Sequence, residues 1–407
     1  MKIKFDDYKY KRIDKKIEFT LKQEVEKKLS PWELSSFINN FNTYYYKNEL
    51  LNTIAIALNN GISAENIIIF DESFKLNRIY NKFVNISLKD KNIKYLYTLG
   101  KPVSLFPNEN IFIINLIFKY FRNINEFLRK KFKKTLTSDN IYEYYQIYKK
   151  DGLNNSIDRL RKDANDVLSK VKIDKTDLKN LNNFFNSLEH EFNIFNQNKY
   201  EIDNLTLKLK SKDLDLKKFD KKDLTYKKYF SKFYNLLTII QRPVLAIYDE
   251  ETQSMDILCR AHINKNERNA VTLDLKSLKH NSPFEGIFNA GLSAYSTIQD
   301  EKRLNEIHEY DKELKELDLE IRRKELVNLE VDLEIKKVQL LRQKIAVIKE
   351  LNEFKDSNEI NSINTMENPY LKEQISELSS NIHDKAKSLL YNNKFQLEDV
   401  KIIDIRA

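Results

Sequence analysis

Cysteine, glycine and proline are scarce in this chain, and each shortage closes off a class of protein. A single cysteine, Cys259, permits no disulfide framework and no multi-cysteine zinc site, which points to a reducing, cytosolic setting. Five glycines in 407 residues leave no room for a glycine-rich phosphate loop, a dinucleotide fingerprint or a nucleophile elbow. Six prolines add to the expectation of long helices and few tight turns. Long apolar runs are missing as well. The most apolar stretch, Ile111 to Phe118, falls far short of the ~20 residues a membrane span needs and reads as a buried helix. Nothing resembles a secretory signal, and neither a membrane partner nor a cofactor is expected.

What the chain does have is core material. Hydrophobic residues make up 41% and aromatic residues 12%, enough for two or three domains with real interiors. The formal charge is +9, but lysine, asparagine and isoleucine together follow the codon usage of an AT-rich genome, so charge alone says little about an acidic partner.

Local patterns give an α+β fold, predominantly α-helical, in which small antiparallel sheets feed capped helices and a long charged helix lies toward the C-terminus. Residues 2–25 alternate as a half-exposed hairpin would. Ser30-Pro31-Trp32-Glu33 opens a helix through a capping box and runs to about Leu58. Ile67–Phe70, Phe83–Leu88 and Ile93–Leu99 read as strands, and Glu109–Leu136 as a helix. Polar helices follow from Asn140 to Tyr234, with leucines alternating at 205–216 as in a hairpin. Pro243–Tyr248, Met255–Ile263 and Ala270–Leu275 suggest a three-strand antiparallel meander. Ser282-Pro283-Phe284-Glu285 repeats the helix-start pattern, and Pro369–Tyr391 and Val400–Ile405 close the chain as helix and strand. The expected domains are 1–136, a helical segment 137–235, a β unit 236–281, a long helix 282–355, a linker 356–368 and a C-terminal piece 369–407.

Within that long helix a twelve-residue unit recurs, from Glu313, from Glu325 and from Lys337. Leu314, Leu317 and Ile321 correspond to Leu326, Leu329 and Leu333, and these to Val338, Leu341 and Ile345. Twelve helical residues advance a cluster by about 120°, so successive units face three directions and a two-stranded zipper cannot cover them all. Acidic residues crowd the first two units and basic ones the last, which complements the helix dipole and also favours antiparallel pairing of two copies. A homo-oligomer through 282–355 is therefore expected.

Three constellations carry candidate chemistry. Arg303-Leu-Asn-Glu-Ile-His308 resembles the Arg-x4-His pattern of HEPN-type ribonucleases, which would have Arg303 hold a phosphate while His308 moves a proton. Leu304 stands where that family has a polar residue, and a solvated helix face explains the segment as well. Asp256 with Asp274-Leu275-Lys276 has the outline of the PD-(D/E)xK nuclease pattern, without the Pro that should precede the first Asp. Cys259, His262 and His280 are too few for a zinc site, and no metal is assigned. Lys119, Arg122, Arg129, Lys130, Lys131, Lys133 and Lys134, interleaved with Tyr120, Phe121, Phe127 and Phe132, suit a nucleic acid or an acidic protein; the competing account is a core stripe of aromatics with lysines in water.

The function expected is thus a non-enzymatic, self-associating scaffold, sensor or adaptor. A ribonuclease using Arg303 and His308 and a nucleic-acid binder using 119–134 are the alternatives. In general style, lysine- and asparagine-rich with small heads and a helical stalk, the chain is similar to accessory proteins of bacterial mobile-element and anti-phage loci.

Overall fold

The computed structural model describes residues 15–23, 29–71, 85–169, 174–216, 219–259, 273–279, 285–290, 338–339, 342 and 362–404. The fold is α+β and predominantly α-helical, with two antiparallel sheets. It divides into a terminal unit (1–56, 265–366, 372–407) and a middle unit (57–264, 367–371).

In the terminal unit, β1 (Lys15–Gln23) is flanked by strands from the far end of the chain. Its neighbours are β8 (Glu285–Ala290) and β9 (Phe395–Asp404), and β7 (Asp274–Lys279) adds to β8. Ile17, Phe19 and Leu21 alternate inward while Glu18, Thr20 and Lys22 stay half-exposed, the period of two that a one-sided strand requires. Onto that face packs α1 (Pro31–Asn59) through Leu34, Phe37, Phe41 and Tyr45. Phe37 stacks on Phe395 at 4.3 Å, and Phe19 on Phe288 at 5.5 Å. The expected capping box is formed: Ser30 N donates to Glu33 Oε2 (2.8 Å) and Glu33 N to Ser30 Oγ (3.3 Å). The last helix, α9 (Pro369–Asn392), contributes Leu390 to this core.

The middle unit is built on the sheet β3 (Asn85–Ser87), β6 (Ser254–Cys259), β5 (Leu245–Asp249), β2 (Ile67–Phe70) and β4 (Pro102–Ser104), in that spatial order. All four residues of β2 are buried, so both faces of the sheet are covered there. Helices α2 (Ile93–Leu99), α3 (Glu109–Phe132), α4 (Asn140–Asp151), α5 (Leu153–Leu168) and α6 (Lys175–Gln197) follow, then α7 (Lys199–Lys210), a π-helical turn (Tyr226–Phe230) and α8 (Ser231–Ile239). The run Ile111–Phe118 lies in α3 with most of its side chains in the core. Among the described residues no helix is long and apolar enough to cross a membrane. A second aromatic cluster joins Phe106, Phe219, Tyr226, Phe230 and Tyr370, and the Tyr370 hydroxyl donates to that of Tyr226 at 3.1 Å.

Several expectations are corrected. Ile93–Leu99 is a helix because Ile93, Leu96 and Leu99 fall three apart on one buried face, with Gly100 at φ 115° ending it. The leucines after 204 belong first to α7, which buries Ile202 and Leu209, rather than to a hairpin. The three-strand meander does not form: β5 and β6 pair, but β7 joins β8 in the other sheet. The residues 2–25 do not make a described hairpin, since both ladder partners of β1 are distant in sequence and residues 1–14 lie outside the described set. Glu285 opens strand β8 and not a helix, because pairing on both sides and the burial of Phe288 outweigh a local cap signal. The segment read as a linker carries two buried residues, Ser362 and Met366.

Replacing Phe37 by Ala should lower stability by about 3–5 kcal/mol, since it empties the space between α1 and β9, whereas Ser30→Ala should cost only about 1 kcal/mol. Urea denaturation at fixed pH checks both; equal losses would contradict this division of labour between core and cap.

Candidate functional site

A polar cleft of about 580 Å³ opens in the middle unit where four segments meet. The turn before β2 supplies Ser63, Glu65 and Asn66, the loop into α3 supplies Pro107 to Asn110, α4 supplies Tyr148 and Lys149, and the end of β5 supplies Glu250. The α3 side is preset by its own cap: Asn108 Oδ1 accepts from Ile111 N (3.2 Å), and its Nδ2 reaches Asn66 Oδ1 (3.3 Å). Glu109 in the first turn suits the positive end of the helix.

Charges around the cleft fall into two kinds. Glu109 is paired with Lys199 (2.5 Å) and Glu65 with Lys210, and both lysines stand outside the lining. Glu250 and Lys149, in contrast, have no ion-pair partner among the described residues. Both bond to the amide of Asn110, whose Nδ2 donates to Glu250 Oε1 while its Oδ1 accepts from Lys149 Nζ, each at 3.1 Å.

Near Glu250 lie two buried tyrosines, Tyr145 and Tyr248, whose hydroxyls interact with one another. Burial raises both above the ordinary phenol range, Tyr248 to about 12, and the nearby charge of Glu250 pushes the same way. Tyr148 is raised by burial first and then by Glu109. Among the described residues no group of three or more His, Cys, Asp or Glu is placed to hold a metal ion.

The residues singled out from sequence are distributed otherwise. Arg303 and His308 lie outside the described residues, as do Leu314, Leu317, Ile321, Leu326, Leu329, Leu333, Leu341 and Ile345. Val338 is described: it is helical and buried, and Gln339 and Arg342 after it are exposed. Asp256 is buried on β6 and accepts from Asn85 Nδ2 (2.5 Å), while Asp274 and Lys276 belong to β7 in the other sheet.

In the basic stretch of α3 the aromatics serve the core. Tyr120 and Phe121 are buried, and Phe127 packs edge-on against Phe184 of α6. Lys119 pairs with Glu191, Lys130 with Glu126 (2.6 Å) and Lys131 with Asp177 (3.3 Å), and the guanidinium of Arg122 lies 5.4 Å from the Tyr97 ring centre. Arg129, Lys133 and Lys134 are exposed near the end of the helix.

Sequence inspection missed the cleft because its residues are spread from 63 to 250 and no one spacing links them. One signal was available: Glu65-Asn66 and Glu109-Asn110 repeat the same acid-amide pair at the starts of β2 and α3. Comparison with family models, with curated proteins and with solved structures finds no match to this chain.

Two titratable groups in the terminal unit are also displaced. Burial pushes the Glu49 carboxyl up to about 8, and its Oε1 has no partner. Lys47 is brought down to about 8 by burial and by Lys385 of α9, beside the Asn48–Ser379 hydrogen bond (3.2 Å) that ties α1 to α9. For Glu49 the folded chain keeps a proton that the unfolded chain has released, so stability falls as pH rises from about 5 to 8. Lys47 acts in the other sense and only above about pH 8, where the unfolded chain binds the extra proton. Glu49→Gln should therefore flatten the loss of stability between about pH 5 and 8 in denaturation midpoints. An unchanged slope would show that Glu49 is not its source.

Proposed function

We propose that this chain is a non-enzymatic, self-associating scaffold or sensor of the cytosol, assembled through its twelve-residue repeat. The repeat carries the reading. Its apolar triads advance by about 120° per unit, so covering them takes several neighbours, and a single globular face offers only one. Val338, the first apolar position of the third unit, is helical and only 5% exposed, in keeping with a repeat whose apolar positions turn away from water. The acidic first units and basic last unit supply the charge match for antiparallel copies.

Light scattering after size exclusion should give an oligomer for the native chain and a monomer when Leu317, Leu329 and Leu341 are all changed to Asp. Far-UV circular dichroism must show that the variant keeps its helix content. A native chain that runs as a monomer at micromolar concentration sinks the proposal.

A second reading rests on Arg129, Lys133 and Lys134, three exposed cations close together at the end of α3. A nucleic-acid partner held there would lose affinity steeply with salt, and each Lys→Ala change would reduce that salt slope by about one. Binding indifferent to salt would exclude it.

A further inference from the structure

We propose that the polar cleft of the middle unit binds a free α-amino acid, its ammonium group against Glu250 and its carboxylate against Lys149. Some charges in the cleft are already neutralised and others are not. Glu65 and Glu109 each have a lysine, Lys210 and Lys199, that approaches from outside the lining. Glu250 and Lys149 have none, although they are of opposite sign and line the same cleft. They do not pair with one another because Asn110 stands between them, donating to one and accepting from the other at 3.1 Å each.

An anion and a cation held apart by a neutral amide are complementary to a ligand that carries both charges in the opposite order. A simple amine would satisfy Glu250 and be repelled by Lys149; a simple carboxylate would meet the reverse. A zwitterion satisfies both, and charge-assisted hydrogen bonds are the stronger kind. The volume of about 580 Å³ leaves space for a side chain over Pro107 and Tyr148.

Next to Glu250 two phenols, Tyr145 and Tyr248, are buried; their hydroxyls interact with one another, and burial first, with the charge of Glu250 adding to it, keeps both protonated. Glu250 and Lys149 themselves are exposed, so the affinity expected is modest, with Kd on the order of 0.1–1 mM. The proposal does not depend on self-association: a monomer could bind, and an oligomer could fail to.

The test uses the full-length chain and saturation-transfer NMR with each proteinogenic L-amino acid in turn, followed by calorimetry on those that bind. At least one should bind, and its N-acetyl and methyl ester derivatives, each lacking one charge, should bind about tenfold or more weakly. Glu250→Gln and Lys149→Met should each produce a comparable loss while the unliganded chain still unfolds cooperatively, with its melting temperature lowered by no more than the few degrees that losing one hydrogen bond costs. Three results would overturn the proposal: no amino acid binding up to about 10 mM; an ester that binds as well as the free acid, which would make this a cation site; or binding that survives both substitutions. Should Lys149→Met prove unstable, Asn110→Ala gives a second route. With the bridge removed, Glu250 and Lys149 can approach and neutralise each other, and affinity must again fall; affinity that holds would count against the assignment.

Discussion

Strand β1 is the constraint on which the terminal unit depends. It lies between β8 and β9, so the first described strand of the chain is held by one strand near residue 290 and another near residue 400. No local hairpin can stand in for this arrangement. The hydrophobic face Ile17, Phe19 and Leu21 is covered only when α1, β8, β9 and α9 have all arrived, since Phe37, Phe288, Phe395 and Leu390 belong to those elements. Loop closure of that span must be offset before any of the burial is gained, which makes the unit slow to form and cooperative once formed. The stacked rings Phe37–Phe395 and Phe19–Phe288 are where the distant segments meet.

The middle unit solves a different problem within a nearly continuous span of chain. A strand with four buried residues in a row, β2, needs cover on both faces: Ile68 and Phe70 pack into the core that α3 fills, and α8 also contacts the strand. That choice forces the polar end of α3 outward. Its first turn, Asn108 to Asn110, is therefore presented where β2 begins and β5 ends, and the cleft is the consequence. At the other end of α3 the lysines are left to pair with α6 or face water, as Lys131–Asp177 and the exposed Lys133 show.

Elements with strong local signals were legible in the sequence. The Ser30–Glu33 capping box, the apolar body of α3 and the alternation of β1 each follow from spacing alone. Where pairing partners decide, spacing fails. Ser282-Pro283-Phe284-Glu285 looks like Ser30-Pro31-Trp32-Glu33, yet Glu285 enters a strand because β1 and β7 wait on either side of it. The sequence of Ile93–Leu99 has strand propensity throughout, and only its packing on the core makes the three-residue spacing of Ile93, Leu96 and Leu99 count. The cleft was invisible for the same reason: each contributor is an ordinary turn or cap residue, and what distinguishes them is that the ends of β2 and β5 collect them.

The separation of Glu250 and Lys149 also has an energetic side. An exposed ion pair is worth about 0–1 kcal/mol, so letting them pair would stabilise the fold very little. Holding them apart on Asn110 replaces that pair with two hydrogen bonds to a neutral amide, each worth about 1 kcal/mol, so the fold loses nothing by it. Stability therefore does not select against two uncompensated charges in one cleft. Glu65 and Glu109, which carry their own lysines, show that the same region readily supplies partners. A carboxylate and an ammonium left without such partners, on the rim of one cleft, keep most of their interaction energy available to whatever zwitterion enters.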